Sequence, residues 1–214
     1  MRLIDTVKKK SVTKNYICNL VYQILVIVLP LITTPYISGV LGAEKIGIYS
    51  FTTSIATYFI LFGSLGVAMY AQREIAYVQD DVKKRSKLFW EIFFFRCITM
   101  TISIIVFYFT YASHGEYQLY YKILIIQLFA NVLDISWFFQ GLEEFKKTVT
   151  RNLLVKVLSV ICIFVFVKTQ DDLWIYFVIF VLSILLGNIS LWFYLPKCLQ
   201  RLNGEKLQIF SHLR

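Results

Sequence analysis

The sequence predicts an all-α membrane protein whose helices cross a bilayer six times. Three observations predict it. Hydrophobic residues make up 58% of the 214 residues and charged ones 16%, whereas soluble domains carry about 25% charged residues. The mean hydropathy of +0.66 is accordingly high, and the apolar residues are pooled in blocks near the ~20 residues that cross a hydrocarbon core of about 30 Å. The cations gather on alternate connections between those blocks, as the positive-inside rule requires. Spanning segments of this length must be helices, because an open strand would leave backbone donors unsatisfied in lipid.

A basic segment, 1–14, carries Arg2, Lys8, Lys9, Lys10 and Lys14 ahead of the first span, 15–38. That apolar run is too long for a signal peptide and no small-residue cleavage site follows it, so it reads as an uncleaved span. Pro30 and Pro35 kink it, with the Thr33 and Thr34 hydroxyls available to freed carbonyls. A short outer loop, 39–46, leads to the second span, 47–70; Gly39, Gly42 and Gly47 bracket the tight turn. The inner loop 71–88 holds Arg73, Lys83, Lys84, Arg85 and Lys87 before the third span, 89–111. An outer loop at 112–118 precedes the fourth span, 119–141. A second inner loop, 142–151, contributes Lys146, Lys147 and Arg151, and the fifth and shortest span covers 152–168. The outer loop 169–172 ends in Asp171 and Asp172, whose charge suits the start of the sixth span, 173–195. A tail, 196–214, adds Lys197, Arg201, Lys206 and Arg214. Only Lys45, Lys122 and Lys168 lie on the opposite side, so both termini are placed in the cytoplasm. The net charge of +9 is this topological bias and not a nucleic-acid stripe.

Each span carries polar residues three, four or seven apart, hence on one face. These are Asn15, Asn19 and Gln23; Ser50, Thr53, Thr57 and Ser64; Arg96, Thr99 and Ser103; Gln127, Asn131 and Asp134; Asn152, Lys156 and Ser159; and Ser183, Gly187 and Ser190. Small and hydroxyl residues suffice for helix packing. Gln127, Asn131, Asp134 and Arg96 are costlier in lipid and point to a hydrated interior. Arg96 and Asp134 each sit seven residues inside a span, about 10 Å deep at 1.5 Å per residue. A charge at such a position costs roughly 2.5–3.5 kcal/mol on insertion scales, so it faces a partner or water. The two either pair across the bundle or flank a polar cavity. Lys156 is near enough to a helix end to snorkel, and Glu91 falls at the interface.

No catalytic constellation is present. Cys18, Cys97, Cys162 and Cys198 are scattered, and His114 and His212 stand apart, which gives no metal site, no cofactor and no thiol nucleophile. Asp80 and Asp81 read as a solvated loop ahead of a basic run. A transporter is expected and an enzyme is not.

Three stretches carry a family resemblance: Thr34-Pro35-Tyr36-Ile37-Ser38-Gly39-Val40-Leu41-Gly42 followed by Ile46-Gly47-Ile48-Tyr49-Ser50-Phe51; Gly63 to Gly66 leading into Arg73-Glu74-Ile75-Ala76; and Asp134-Ile135-Ser136-Trp137-Phe138-Phe139-Gln140-Gly141-Leu142-Glu143. In these the chain resembles the N-terminal half of the polysaccharide flippases (Wzx-type) of the multidrug/oligosaccharidyl-lipid/polysaccharide exporter superfamily. The resemblance implies one six-helix lobe of a MATE-like fold in a bacterial cytoplasmic membrane. It also implies translocation of undecaprenyl-diphosphate-linked oligosaccharide units between leaflets by alternating access. Cavity residues would then be Arg96, Asp134, Asn131, Gln127 and Lys156, with Arg96 attracting the anionic headgroup. Arg73, Glu74, Trp137 and Gln140 would form a gate or cytoplasmic-side motif, Trp137 and Gln140 lying near the interface. Family proteins have a second lobe, and the stretch 208–214 resembles the lead-in to it. The expectation is therefore a truncated half, or a homodimer, working beside polysaccharide assembly enzymes and membrane lipid. The rival expectations are a drug/cation antiporter, a peptidoglycan-lipid flippase and a membrane-embedded polymerase.

Overall fold

The computed structural model describes residues 2–200, with side chains described from Ile24 onward except at 25, 26, 145–150 and 197. The side chains of the polar face Asn15, Asn19 and Gln23, of the basic residues of 1–14 and of Lys146, Lys147 and Lys197 lie outside those described, and the tail 201–214 lies outside the described residues.

All described regular structure is helical. Helix α1, Arg2–Ser64, runs through the expected first loop: only Gly42 leaves helical geometry, at φ 77° and ψ 167°. The loop 39–46 is thus replaced by a one-residue break that divides α1 into two limbs. Gly42 supplies the positive φ that a residue with a Cβ resists. A second break at Leu65 and Gly66, with φ 46° and 68°, separates α1 from α2, Val67–Tyr77. Helix α2 occupies much of the expected inner loop because it is amphipathic rather than apolar: Val67, Ala71 and Ile75 are buried at fourfold spacing while Arg73 is exposed. A hydropathy reading finds apolar runs and misses such a helix.

Helix α3, Val82–Phe107, starts where Asp81 caps it, accepting from the backbone N–H groups of Lys83 and Lys84, both at 3.1 Å. It continues as a π turn, Tyr108–Ala112. Helix α4, Gln118–Val132, and α5, Ser136–Gly141, divide the expected fourth span at 133–135. Helix α6 covers Phe145–Phe166 and α7 covers Leu173–Trp192. The 3₁₀ turn Gln170–Asp172 precedes α7 and is closed by a capping box with Thr169.

Four stretches are long and apolar enough to cross a membrane: Ile27–Ser64, Val82–Ala112, Gln118–Gly141 and Gln170–Trp192. The first takes in 27–38 of the expected first span and 47–64 of the second, joined through Gly42. The expected fifth span falls on α6, whose 22 residues are long enough by rise but which is not among the four. Large apolar side chains on these helices face outward, among them Leu31, Leu61, Phe62, Ile102, Phe109 and Leu186. Such a surface is a liability in water and the expected one in hydrocarbon. This is a multi-pass membrane protein.

Helix α7 packs on α4 and α6, α1 on α3, and α2 on α5. Two buried clusters result. One, around Leu41, Phe107, Leu128 and Phe177, fills the half nearer Gly42. The other, around Ile75, Phe89, Trp137, Phe138 and Leu191, fills the half where α2 and α5 end.

Candidate functional site

An intact helix bonds each carbonyl to the N–H four residues on. At 133–135 that pattern fails, because α4 ends in a 3₁₀ closure, Asp134 N–H to Asn131 O at 3.3 Å, and α5 opens with another, Phe138 N–H to Ile135 O at 3.1 Å. Carbonyls freed inside an apolar bundle need donors. Three side chains supply them: Asn188 Nδ2 donates to Ala130 O at 2.7 Å, Trp192 Nε1 to Leu133 O at 2.9 Å, and Arg96 Nη1 to Asp134 O at 2.9 Å. The donors come from α7 and α3, so the break is held by two of the helices that pack on α4.

Asp134 serves two partners. Its Oδ1 accepts from Ser136 N–H at 3.0 Å and from the Ser136 hydroxyl, anchoring the first turn of α5. Its Oδ2 stands 3.9 Å from Arg96 Nη2. The structure therefore brings Arg96 and Asp134 together, with Arg96 4% exposed and Asp134 26%. The pairing is loose. Arg96 Nε is buried with no hydrogen-bond partner among the described residues, so the guanidinium keeps unused donor capacity inside the bundle.

One turn along α4, Asn131 Nδ2 donates to Gln127 O at 3.0 Å, while the buried Gln127 Oε1 has no partner among the described residues. Lys156 is on α6, half-buried, and makes no ion pair with Asp134. Of the five expected cavity residues, Arg96 and Asp134 meet at the break, Asn131 and Gln127 stand one and two turns before it on α4, and Lys156 does not join them.

The expected gate residues occupy the α2–α5 contact. Arg73 Nη2 bonds Glu74 Oε1 at 3.2 Å, and the Arg73 guanidinium lies over the Tyr70 ring at 5.7 Å. Gln140 and Arg73 line one cleft with Met69, Gln72 and Glu143. Trp137 is 2% exposed and stacks on Phe89 at 5.4 Å between centroids, so its ring packs inside the bundle and does not face outward. Helix α5 is short, packs on α2 and sets Trp137 and Phe138 against Phe89 of α3, which turns that face of it inward. Glu143 closes α5 at φ 58°, a left-handed position that helices normally give to glycine at a cost of about 1 kcal/mol otherwise.

Several functional contacts were not foreseen. Asn188 and Trp192 went unnoticed because each bonds a carbonyl 58 or 59 residues away. Arg85 and Arg151 were read as loop cations, yet Arg85 donates to Gln79 O at 2.7 Å and Cys198 O at 2.6 Å, and Arg151 to Gly187 O at 3.2 Å. Glu91, placed at the interface, is 5% exposed. A polar residue within four of an expected span end was the signal for Trp192, Arg85, Arg151 and Glu91, whereas Asn188 lies seven residues inside the sixth span. Among the described residues no group of His, Cys, Asp and Glu has the geometry to hold a metal ion.

A family model described as polysaccharide biosynthesis protein matches residues 12–214. A protein of Escherichia coli (strain K12) named "Putative O-antigen transporter" is 29% identical over 168 residues, which is 77% of this chain and 40% of that one. A protein of the same name from Shigella dysenteriae is 26% identical over 146 residues, 67% of this chain and 37% of its own. The chain thus spans about two fifths of the length of the curated relatives it matches. No solved structure matches it.

Proposed function

The chain belongs to the polysaccharide biosynthesis protein family, and from that membership we propose that it forms one lobe of a flippase for lipid-linked oligosaccharide repeat units in a bacterial cytoplasmic membrane. In this reading the six spans lie with both termini in the cytoplasm, and the α2–α5 end faces the cytoplasm. The lobe is completed by a second lobe or a second copy. The cargo combines a lipid tail, a diphosphate and sugars. Outward apolar side chains suit the tail, which stays in the bilayer.

The observation that carries the reading is Arg96. A guanidinium held inside an apolar bundle is costly unless it is paired or functional, and this one stands 3.9 Å from the Asp134 carboxylate, its Nε without a hydrogen-bond partner among the described residues. It therefore keeps an attraction for a diphosphate, to which a guanidinium can bind bidentately. At 4% exposure it must be uncovered first, and the break at 133–135 is where the covering backbone can move, since no continuous hydrogen-bond ladder crosses it. Gln127, Asn131 and Asp134 lie along the same seam.

The test is transfer in proteoliposomes. Fluorescent polyprenyl-diphosphate oligosaccharide should appear in the opposite leaflet, and Arg96→Gln should reduce the rate about tenfold or more by losing charge-assisted contacts. Transport of cationic drugs without glycan-lipid movement would replace the reading with that of an antiporter. Formation of new glycosidic bonds would replace it with that of a polymerase.

A further inference from the structure

The cleft between α2 and α5 has a chemistry of its own, separate from the Arg96 seam. It measures about 300 Å³, at the lower end of the range for small-molecule sites. Helix α2 gives it Met69, Gln72 and Arg73, and the end of α5 gives Gln140 and Glu143. Its shape is fixed by the approach of the two helices. A Cβ on Gly141 would stand 2.7 Å from Gln72 O and 2.8 Å from Ile75 Cβ, so only glycine lets α5 lie this close to α2. Three of the eight described glycines, Gly42, Gly66 and Gly115, have positive φ, and none of the three is at the end of α5. That position is taken by Glu143, whose left-handed backbone is stabilised by Glu144 N–H to Phe139 O at 2.9 Å and Glu143 N–H to Gln140 O at 3.0 Å. A strained non-glycine residue with its side chain in a cleft points to a use for that side chain.

The functional groups select the ligand class. A phosphate is disfavoured, because Glu143 contributes a negative charge and Glu74 already offsets Arg73 at 3.2 Å. What remains is a mixture of planar donors and acceptors: two carboxamides, a carboxylate, and the guanidinium N–H groups not used by Glu74. Neighbouring hydroxyls of a sugar both donate and accept, and so match this mixture. Met69, largely exposed, supplies an apolar edge for the C–H face of a ring.

We infer that the α2–α5 cleft is a saccharide subsite that holds a sugar of the cargo while the diphosphate is drawn toward Arg96. This rests on the glycan-lipid reading above. The test uses the chain in nanodiscs with Ala76→Cys, an exposed residue at the cleft wall, and Met69→Cys as a second reporter. Thiol alkylation at the reporter is followed by peptide mass spectrometry. The probes are a farnesyl diphosphate-linked disaccharide of N-acetylglucosamine and galactose, and farnesyl diphosphate alone. Binding of each is measured separately by calorimetry.

The disaccharide lipid should slow alkylation about fivefold or more, farnesyl diphosphate should not, and Gln140→Leu or Glu143→Ala should remove the protection. Equal protection by both probes would overturn the assignment in favour of phosphate or isoprenoid binding. Calorimetric binding of the disaccharide lipid without protection would overturn it while leaving the cargo reading intact. Failure of both lipids to bind would overturn both.

Discussion

At the Gly42 end, Tyr49 packs on Tyr176 and Phe177 at 4.7 and 5.1 Å, Tyr120 stacks on Phe177 at 4.8 Å, and the Tyr36 hydroxyl donates to Val167 O at 2.8 Å. The α2–α5 end, by contrast, buries Ser86, Glu91, Arg96 and Asn188 beside its aromatics. It also ties its backbone with long-range donors from Arg85, Arg96, Arg151, Asn188 and Trp192. Both ends interrupt helices. At Gly42 the interruption is one residue whose conformation glycine supplies locally. At 133–135 it is a longer gap whose carbonyls need partners from other helices. The difference teaches that the break at Gly42 is closed by shape and the break at 133–135 is held by polar contacts, which can be exchanged for a ligand's.

The largest test opposes the two ends. Arg96→Leu leaves Asp134 uncompensated and should cost about 3–5 kcal/mol; Phe177→Ala should cost a similar amount, about 3–5 kcal/mol, through its cavity. Reversible unfolding in mixed micelles measures both. Transport per folded molecule should vanish only for Arg96→Leu. If Phe177→Ala abolishes it equally, the ends are not functionally distinct.

Asn188→Leu keeps the side-chain volume but strands Ala130 O, a loss of about 1–3 kcal/mol. Amide exchange should accelerate across 130–138 and stay unchanged around Gly42. Exchange that rises uniformly would mean the break has no local hold. At the other end, Tyr36→Phe removes one hydroxyl and should cost about 1 kcal/mol, read as a lower unfolding midpoint with transport intact.

Glu143→Gly should stabilise by about 1 kcal/mol, since glycine adopts the left-handed backbone without strain. A lower midpoint would show that the Glu143 side chain contributes more to the fold than its backbone costs. The smallest effect concerns Asp81. The backbone N–H of Lys84, with the Lys84 ammonium and the Lys83 N–H, holds its carboxyl below the usual range. A depressed carboxyl contributes stability above its unfolded value of about 3.9 and loses it as pH falls through the folded value. Asp81→Asn should flatten the stability profile below pH ~4, a change confined to the α2–α3 turn.

Length, apolar blocks and alternating cations are local properties, and they foretold a helical, multi-pass membrane protein. The equal count of residues from a span end to Arg96 and to Asp134 was also enough to raise the pair that stands at 3.9 Å. Hydropathy could not show α2, whose two faces average to an unremarkable value, nor the gap at 133–135, where no proline or glycine marks the break. Only the tertiary structure decided which donors meet the freed carbonyls, that Trp137 lies inside, and that Gly141 lets α2 and α5 form a cleft. The physical reason is range. A helix and its insertion into lipid follow from neighbours a few residues apart, whereas Ala130 O and Asn188 Nδ2 meet only after α4 and α7 have packed together.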